Sequence, residues 1–441
     1  MKKQIRLNLI FHTSGRHDAG WKTFEDPTTL IDDIDHQIQF AKLAEEAKFD
    51  AIFLPDTPAA LGTSFLRKPR RGLDPAVTLA AIAMHTKNLG LICTAQSLQG
   101  HPYLVARSIA SLHHASKGRA GWNIVTSQDE YMLKALGLPP EHKLDREQRY
   151  AKASEFVEIV TGLWDSLPKE AIVADKENDV YIDPALTHPI DYEGEFFKSQ
   201  GVLQLTGRYE DERPLLFQAG ISPESRKFGA KYADALFTSQ PNLDKDRAFY
   251  QEVKGYAESY GRNPDHLLVV PGLYAVVAES DAQARKNKAE IDELMDLGFL
   301  IRQLSGQVGI PVEELDPNKP LPVELFDKIP TDDEVIQYRR NDIGGVAQAN
   351  GFTVKQLVHH NLTRGQRTIF GTPEQIADTI EEWVDTNVGD GFNVNAYIQP
   401  LGVERFKDVI TELQNRGRYR KEYDHTTFRE NYGLPSSSIR K

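Results

Sequence analysis

The amino-acid sequence predicts an α/β protein, a (β/α)8 TIM barrel with insertions. Short runs rich in β-branched and other apolar residues alternate with longer runs of helical period over most of the 441 residues. Eight of the short runs are apolar nearly throughout, as strands are when helices cover both faces of a parallel sheet. The chain is long enough for one such barrel with extra segments. An open, doubly wound sheet is the alternative, because hydrophobic periodicity does not register whether a sheet closes.

The predicted strands and helices follow one another in a regular order. The first half contains strands at IRLNLIFH, DAIFLPD, LGLICTAQS and GRAGWNIVTS, each separated from the next by a helix. The clearest helix start is at DPAVTLAAIAMHTKN, where Asp74 is the N-cap and Pro75 lies in the first turn. After a long helix over residues 145–164, the second half adds strands at PLLFQAG, ADALFTS, HLLVVPGLYAVVAE and GFNVNAYIQP.

Some segments do not fit this alternation. Residues 165–210 form a polar, proline-containing excursion with a hairpin-like DYEGEFFKSQGVLQL. Residues 296–370 form a second, irregular excursion with clusters of Pro and Gly. The polar tail, residues 417–441, is expected to wrap a surface or a subunit. We therefore predict a single barrel domain over residues 1–441, with these two insertions and a C-terminal extension.

Composition and charge exclude several classes of protein. Apolar residues make up 40% of the chain and charged residues 26%, which is ordinary for a globular protein. A net charge of -12 argues against a duplex-binding surface, so no nucleic-acid partner is expected. The longest apolar run, LLVVPGLYAVVA, is interrupted by Pro271 and Gly272 and is too short to span a bilayer, so no membrane segment is expected. The single cysteine, Cys93, cannot form an intramolecular disulfide, which fits a cytoplasmic location.

In a barrel of this kind the functional side chains lie at the carboxyl ends of the strands and in the loops that follow. At those positions the sequence places hydroxyls, amides and one carboxylate, Asp56. The strand GRAGWNIVTS is the most unusual, because an apolar run ends in Trp122, Asn123 and Thr126. No cluster of His, Cys, Asp or Glu has the spacing of a metal site such as HExxH, so no metal is expected.

One strand end has the chemistry of an anion site. The sequence contains neither GxxxxGKS/T nor GxGxxG after a strand, the usual phosphate-binding loops. In QAGISPESRKFG, however, Ser222 is the N-cap of a helix and Pro223 takes its first position, which leaves amides of the first turn available to a phosphate near Arg226. The alternative is that Ser222 and Pro223 only start a helix.

Other candidate residues have structural interpretations of comparable weight. Asp56 either contacts a ligand or caps the next turn. Thr94 ends a strand, where β-branched hydroxyls are common without function, and Cys93 beside it is expected to be a core residue. The loop FHTSGRHDAGWKTFED carries His17 and Trp21, which face either a planar ligand or the barrel itself.

Taken together, these motifs resemble the flavin-dependent monooxygenases of the bacterial luciferase superfamily. The longest matching stretch runs from DPAVTLAAIAMHTKNLGLICTAQS through HPYLVARSIASLHHASKGRAGWNIVTS. GRHDAGWK, LPDT, QAGIS, ADALFTSQP and GTPEQIADTIEEWVDTNVGDGFNV match in order over nearly the whole chain. Within the superfamily the sequence is similar to the group that contains nitrilotriacetate monooxygenase component A and dibenzothiophene sulfone monooxygenase.

The resemblance implies an FMN site at the strand ends. Asp56 and Thr94 would contact the flavin ring or its ribityl chain, and Asn123 would contact the ring edge. Ser222, together with the amide of the residue after it, Pro223, would hold the phosphate.

The resemblance also assigns roles outside these strand ends. Tyr150 would lie near the ribityl phosphate, and Arg146, where relatives often have a histidine, would pair with that phosphate. His17 would be a proton relay or hydrogen-bond donor. The residues expected in the substrate pocket are Phe11, Trp21 and Phe237.

A reaction follows from the same resemblance. Reduced FMN from a separate NAD(P)H:FMN reductase would act with O2 to oxygenate a small organic substrate, often with cleavage of a C–N or C–S bond. The excursions 165–210 and 296–370 would be lids, and a homodimer or tetramer is expected. The alternatives are a deazaflavin-dependent oxidoreductase, a non-catalytic flavin-binding protein and a metal-dependent barrel hydrolase. The sequence does not identify the substrate.

Overall fold

The computed structural model describes residues 3–56, 69, 72–98, 100–126, 130–240, 242–361 and 367–437. In this part of the chain the strands are β1 (Arg6–Ile10), β2 (Ala51–Leu54), β3 (Gly90–Gln96), β4 (Ala120–Val125), β5 (Ile172–Asp175), β6 (Val180–Ile182), β7 (Ile190–Glu193), β8 (Lys198–Gly201), β9 (Leu215–Ala219), β10 (Ala235–Thr238), β11 (Leu268–Val277), β12 (Arg367–Gly371) and β13 (Gly391–Ala396). The α-helices are α1 (Ile34–Glu46), α2 (Pro75–His85), α3 (Pro102–Ala115), α4 (Glu130–Ala135), α5 (Arg146–Asp165), α6 (Pro223–Tyr232), α7 (Leu243–Ser259), α8 (Asp281–Asp292), α9 (Leu297–Val308), α10 (Leu325–Lys328), α11 (Glu334–Asn350), α12 (Val354–Asn361), α13 (Pro373–Asp385), α14 (Leu401–Asn415) and α15 (Phe428–Asn431).

Eight parallel strands close into a barrel, in the order β1, β2, β3, β4, β9, β10, β11, β13 and back to β1. The ring is completed by β10 with β11, where Leu236 pairs with Val269, and by β13 with β1, where Phe392 pairs with Leu7. These are the eight runs that the sequence predicts as strands. The (β/α)8 prediction is confirmed, and the open sheet is wrong, because every barrel strand has a neighbour on both sides.

The helices around the barrel begin where the sequence provides caps. The Asp74 carboxylate accepts hydrogen bonds from the amides of Ala76 and Val77 at 2.9 and 3.1 Å, as the predicted N-cap of α2 should. Thr372 and Gln375 form a reciprocal capping box at the start of α13. Among the helices of the described residues, none combines the length and the apolar character needed to cross a membrane.

β11 is the longest strand, and its two halves have different neighbours. Its first half pairs with β10, whereas residues 273–277 pair with β12, a strand that the sequence analysis does not predict. Leu273 and Ala275 pack in the layer between the barrel and the outer helices, while Tyr274 and Val276 form a separate cluster with Ala284 of α8. Successive side chains of a strand point to opposite faces. Tyr274 and α8 therefore lie on the face of β11 that is turned toward the barrel axis.

The C-terminal segment closes the amino-terminal end of the barrel. Phe428 and Tyr432 pack among axis-facing side chains, and each ring centroid lies 5.9 Å from that of Phe217. The Asn8 side-chain amide donates to the Tyr432 hydroxyl at 2.9 Å. The expectation that residues 417–441 wrap a surface or a subunit is therefore wrong for this part of the tail. The two aromatic residues are four positions apart, so they share one face and enter the barrel together.

The two predicted excursions differ in character. Residues 165–210 contain the antiparallel pairs β5–β6 and β7–β8, the second at the predicted hairpin. Residues 296–370 are not irregular, because they contain α9 to α12 and β12, and their apolar side chains form a core of their own around Leu304 and Leu357. The prediction failed here because α11 carries Gly344 and Gly345 in its interior, where glycine disfavours a helix.

Candidate active site

Thr94 and Asn123 meet at the carboxyl ends of β3 and β4. Their chain neighbours Cys93 and Trp122 pack toward the helices, so the alternation of the strands turns Thr94 and Asn123 toward the barrel axis. The Asn123 amide donates to the Thr94 hydroxyl (Nδ2 to Oγ1, 3.0 Å), and both residues are buried. Asn123 Oδ1 has no hydrogen-bond partner within the described part of the chain. We call the opening at the carboxyl ends of the barrel strands the mouth. The unusual strand GRAGWNIVTS therefore carries a buried, neutral hydrogen-bond acceptor on the axis side of the mouth.

Further neutral polar groups lie at the carboxyl edge of the barrel. Gln96 ends β3 and Gln399 follows β13. Gln96 Oε1 and both amide atoms of Gln399 are buried and have no hydrogen-bond partner among the residues that the structure describes. His12, after β1, is hydrogen-bonded to Asn395 of β13 (Nε2 to Oδ1, 3.3 Å). Buried polar groups without partners are rare. Here they would let the mouth hydrogen-bond a bound molecule without placing a charge on it.

The N-terminal ends of α5 and α6 lie side by side. Arg146 Nη1 is 4.0 Å from Glu224 Oε2, and the ring centroids of Tyr150 and Phe228 are 5.6 Å apart. Ser222 caps α6, as the sequence predicts, with its side chain accepting from the amide three residues later at 3.2 Å. The residues predicted around a phosphate on two separate helices are thus neighbours in the fold.

Details of this helix end differ from the sequence analysis. Pro223 has no amide hydrogen, so it cannot donate to an anion, and the donors of the first turn begin at Glu224. Arg226 forms a hydrogen-bonded ion pair with Glu252, which directs its guanidinium away from this role. Hydrogen bonds from its own amide and from Ser222 lower the pKa of the Glu224 carboxyl. This helix end therefore already accommodates a negative charge, as the N-terminal end of a helix dipole favours.

His17 is buried, and both of its ring nitrogens have partners inside the protein. Nδ1 accepts from the Ala19 amide at 3.0 Å, and Nε2 lies 2.9 Å from Asp292 Oδ1. Trp21 is half-buried in a short 3-10 turn, with the Lys22 ammonium 5.7 Å from its ring centroid. The β1 loop therefore turns His17 into the protein and leaves Trp21 partly accessible.

The remaining predicted residues occupy different faces of the barrel. Asp56 is half-buried directly after β2, and residues 57–68 beyond it lie outside the described residues. Phe11 packs on Phe40 of α1 with ring centroids 4.8 Å apart, so it faces the helix layer and not the axis. Phe237 faces the axis, where its ring centroid is 4.8 Å from that of Phe53. The alternation of β1 explains the position of Phe11, since the odd-numbered residues of this strand all point outward.

One axis-facing residue near the mouth is absent from the sequence analysis. Tyr274 is buried, and its hydroxyl has no hydrogen-bond partner among the described residues. Burial and the charge of Asp292 raise the pKa of this phenol well above its usual value, so it remains protonated. The available signal was the alternation within LYAVV, which places Tyr274 opposite its apolar neighbours.

Cys93 is a core residue, as predicted, and burial raises the pKa of its thiol. In the described ranges, no group of three or more His, Cys, Asp or Glu side chains is arranged to hold a metal ion. The polar groups at the mouth are thus mainly hydrogen-bonding groups.

Comparison with known proteins covers the whole chain. A family model described as luciferase-like monooxygenase matches residues 9–390. The sequence is 35% identical over 439 residues to N-acetyl-S-(2-succino)cysteine monooxygenase of Bacillus subtilis (strain 168), covering 98% of this chain and 97% of that protein. It is also 35% identical over 455 residues to nitrilotriacetate monooxygenase component A of Aminobacter aminovorans, covering 100% and 99% of the two chains. Among solved structures, riboflavin lyase with modified FMN and substrate riboflavin is similar with a TM-score of 0.82 at 28% identity, covering 99% of this chain and 98% of that one.

Proposed function

Because the chain belongs to the luciferase-like monooxygenases, a family of flavin-dependent enzymes, we propose that it is the oxygenase component of a two-component system that uses reduced FMN and O2. The resemblance stated from the sequence is confirmed by the family match. The observation that carries the proposal is the unpartnered Oδ1 of Asn123, buried on the axis side of the mouth. A neutral planar ligand with N–H donors at its edge satisfies that atom without adding charge.

The residues at the mouth fit a flavin ring. The Asn123 amide, held by Thr94 at 3.0 Å, presents its oxygen to the ring edge. Asp56, two residues after the end of the neighbouring β2, would accept from a ribityl hydroxyl or a ring N–H. When bound, reduced FMN supplies the electrons that activate O2. The protein orients the ring and excludes water from it, which requires no nucleophilic side chain.

The ends of α5 and α6 fit a phosphate. Amides of the first turn of α6 would donate to it. The Ser222 hydroxyl and the exposed Arg146 would both turn from Glu224 to the phosphate. Tyr150, beside α6, would contact the ribityl phosphate. Pro223 would line this helix end without donating a hydrogen bond.

We propose that the substrate is a small organic molecule and that a separate NAD(P)H:FMN reductase delivers the reduced flavin. One relative is named as component A of its monooxygenase, and the relatives' names mention N-acetyl-S-(2-succino)cysteine and nitrilotriacetate. A reaction of this type would cleave a C–S or C–N bond. The excursions 165–210 and 296–370 would shape the cavity as lids, and the second has a hydrophobic core that would let it move as a unit. The single cysteine supports a cytoplasmic location.

We also propose that the protein is a homo-oligomer that associates through α2. This helix of 11 residues contains no Asp, Glu, Lys or Arg, and Val77 and Met84 on its outer face are exposed. Leu104 at the start of the adjacent α3 extends this apolar surface. A helix that is apolar on all sides is normally covered, and a second copy of the chain would cover it symmetrically in a dimer. The mass in solution, measured by light scattering, tests this proposal, and a monomer would contradict it.

The binding site is tested by anaerobic titration with reduced FMN. Ser222→Ala removes a hydroxyl donor to the phosphate and is expected to weaken binding about 10- to 100-fold, the effect of losing a hydrogen bond to a charged group. Asp56→Ala is expected to weaken binding in the same direction. The matched control is Ser280→Ala, because Ser280 caps α8 through the same contact at 3.1 Å and lies outside the proposed phosphate site. Equal affinity in wild type, Ser222→Ala and Asp56→Ala would remove the assignment.

The same protein is then tested for turnover with a generic flavin reductase, NADH and FMN. Oxygen uptake that rises with one of a panel of thioether, amine and sulfone substrates, with a new oxygenated product, is expected. A deazaflavin-dependent oxidoreductase would reduce or oxidise its substrate without oxygen uptake. A non-catalytic flavin-binding protein would bind FMN and show no substrate-dependent uptake.

A further inference from the structure

Four buried side chains form a cluster that the proposed flavin site does not use. The Asp292 carboxylate is 2.9 Å from His17 Nε2, and its two oxygens are 2.8 and 2.7 Å from Lys288 Nζ. His359 Nδ1 lies 3.9 Å from the same carboxylate. All four side chains are at most 13% exposed. Removing a charged group from water is costly, and these partners offset that cost for the Asp292 carboxylate.

The hydrogen bonds determine the state of the cluster. Because His17 Nδ1 accepts from the Ala19 amide, the ring proton is on Nε2, which donates to Asp292. Burial alone would raise the pKa of Asp292, but the hydrogen bond from His17 and the charge of Lys288 outweigh burial and lower it. Asp292 is therefore a carboxylate that accepts from His17 Nε2 and from the Lys288 ammonium group.

The cluster joins segments that are distant in the sequence. His17 belongs to the loop after β1, while Lys288 and Asp292 lie on one face of α8. The helical part of the second insertion, together with the short link that leads into it, spans residues 293–361 and begins directly after Asp292, the last residue of α8. Its last helix, α12, brings back His359, whose carbonyl is 3.4 Å from Lys288 Nζ. One carboxylate thus connects both ends of the insertion to the β1 loop.

The cluster also borders the mouth of the barrel. The β1 loop runs beside the end of β13, with the amides of Arg16 and His17 donating to the carbonyls of Ala396 and Tyr397 at 2.8 and 3.0 Å. Tyr274, on the axis side of the wall, is influenced by the charge of Asp292. A change at Asp292 would therefore reach the carboxyl edge of the barrel through the backbone of this loop.

A buried ion pair gains little net stability, because desolvation offsets the attraction between its charges. Its best-supported use is to select one arrangement of packed elements among several. We propose that Asp292 is a positioning residue whose carboxylate, acting through His17, locks the loop of residues 12–24 and both ends of the insertion into one arrangement around the mouth. The contacts of Asp292 with His17 and Lys288 do not depend on a flavin. The consequence, a mouth closed to water during turnover, rests on the proposed function.

The proposal is tested by hydrogen–deuterium exchange of the full chain without flavin. In His17→Phe the loop loses its donor to Asp292 and the acceptor of the Ala19 amide, while the pair Lys288–Asp292 is kept. Exchange of residues 12–24 is expected to rise about tenfold, the effect of losing one charge-assisted hydrogen bond. His17→Gln, whose amide can donate to Asp292, is expected to restore slow exchange. Asp292→Asn is expected to increase exchange in residues 12–24 and also in residues 293–361.

A matched control is available on the surface. Glu293, the C-cap residue of α8, pairs with Lys355 of α12 at 2.7 Å and so connects the same two helices, but in solvent. Exposed pairs contribute little, so Glu293→Gln is expected to leave both segments unchanged. Unchanged exchange of residues 12–24 in His17→Phe would overturn the proposal. A rise of equal size in β3 and β4 would also overturn it, because that result indicates general destabilisation. If Asp292→Asn does not fold, the pair of His17 variants still decides, and a failure to bind FMN would affect only the proposed function.

Discussion

Replacing Phe428 with alanine is expected to destabilise the whole barrel, although this residue lies in a polar C-terminal tail. Phe428 is 1% exposed, and its ring centroid is 5.0 Å from that of Tyr432 and 5.9 Å from that of Phe217. It also lies against Gly90 at the start of β3, where a Cβ would come 2.6 Å from its ring. The ring therefore occupies space that no neighbouring side chain can fill.

The expected loss follows from this burial. Removing a fully buried aromatic side chain forfeits a transfer free energy of about 1.5–3 kcal/mol. A cavity term is added because eight hydrogen-bonded strands cannot collapse around the gap, which brings the total to about 3–5 kcal/mol. Tyr260→Ala, at the exposed end of α7, removes a similar ring from the surface and is expected to change stability by less than about 0.5 kcal/mol.

Urea unfolding monitored by circular dichroism measures both variants against wild type. A lower midpoint with an unchanged slope is expected for Phe428→Ala, because the loss is one of stability and not of cooperativity. A decrease in the free energy of unfolding below about 1 kcal/mol for Phe428→Ala would refute the reasoning. It would mean that the Phe428 ring contributes little to the barrel core.

Two further predictions concern a buried base, His113, and a buried cation, Arg119. Burial lowers the pKa of His113, whose Nε2 is 2.9 Å from the Glu212 carbonyl, to about 3, so the folded protein keeps this ring neutral. An unfolded histidine has a pKa near about 6.5, so acid protonates the unfolded chain first and favours it. Between about pH 7 and pH 5, the free energy of unfolding is therefore expected to fall by about 2 kcal/mol more in wild type than in His113→Gln. Urea unfolding at both pH values checks this, and equal losses would contradict it. Arg119→Met is expected to lower the free energy of unfolding by about 3–5 kcal/mol, because it leaves buried carbonyls without donors. The same urea assay at neutral pH measures this loss, and Arg107→Met, at an exposed position, is expected to have a negligible effect. The carbonyls that Arg119 now satisfies belong to Ala83, Thr86, Leu89 and Ser116.

Much of the barrel was predictable because its signals are local. Apolar runs bounded by turn residues predict buried strands, and Asp74 followed by Pro75 predicts a helix start. Both signals depend on residues within a few positions of one another. The same holds for Thr94 and Asn123, since a polar residue at the end of an apolar run belongs to the mouth once a barrel is assumed.

Other features were not predictable because competing local signals obscured them. Gly344 and Gly345 disfavour a helix by propensity, yet α11 forms because its apolar face is buried in the core of the insertion. The resemblance implies that Phe11 lines the substrate pocket, but the alternation of β1 directs it to Phe40 in the helix layer. Tyr274 lies within a run that is apolar nearly throughout, so the sequence does not show that the two faces of β11 meet different partners.

By itself, the sequence determined the eight barrel strands, the helix caps, the neutral residues at the strand ends and the family, because periodicity, capping and motifs act over short stretches of chain. Only the tertiary structure decided which of these residues meet. His17 and Asp292 are 275 positions apart, and no local pattern records that they share a hydrogen bond. Phe428 stands in a polar segment, and only a closed barrel creates the apolar space that receives it. Such pairings depend on filling volume and satisfying buried polar groups across the whole molecule, which is decided only when the ring of strands has closed.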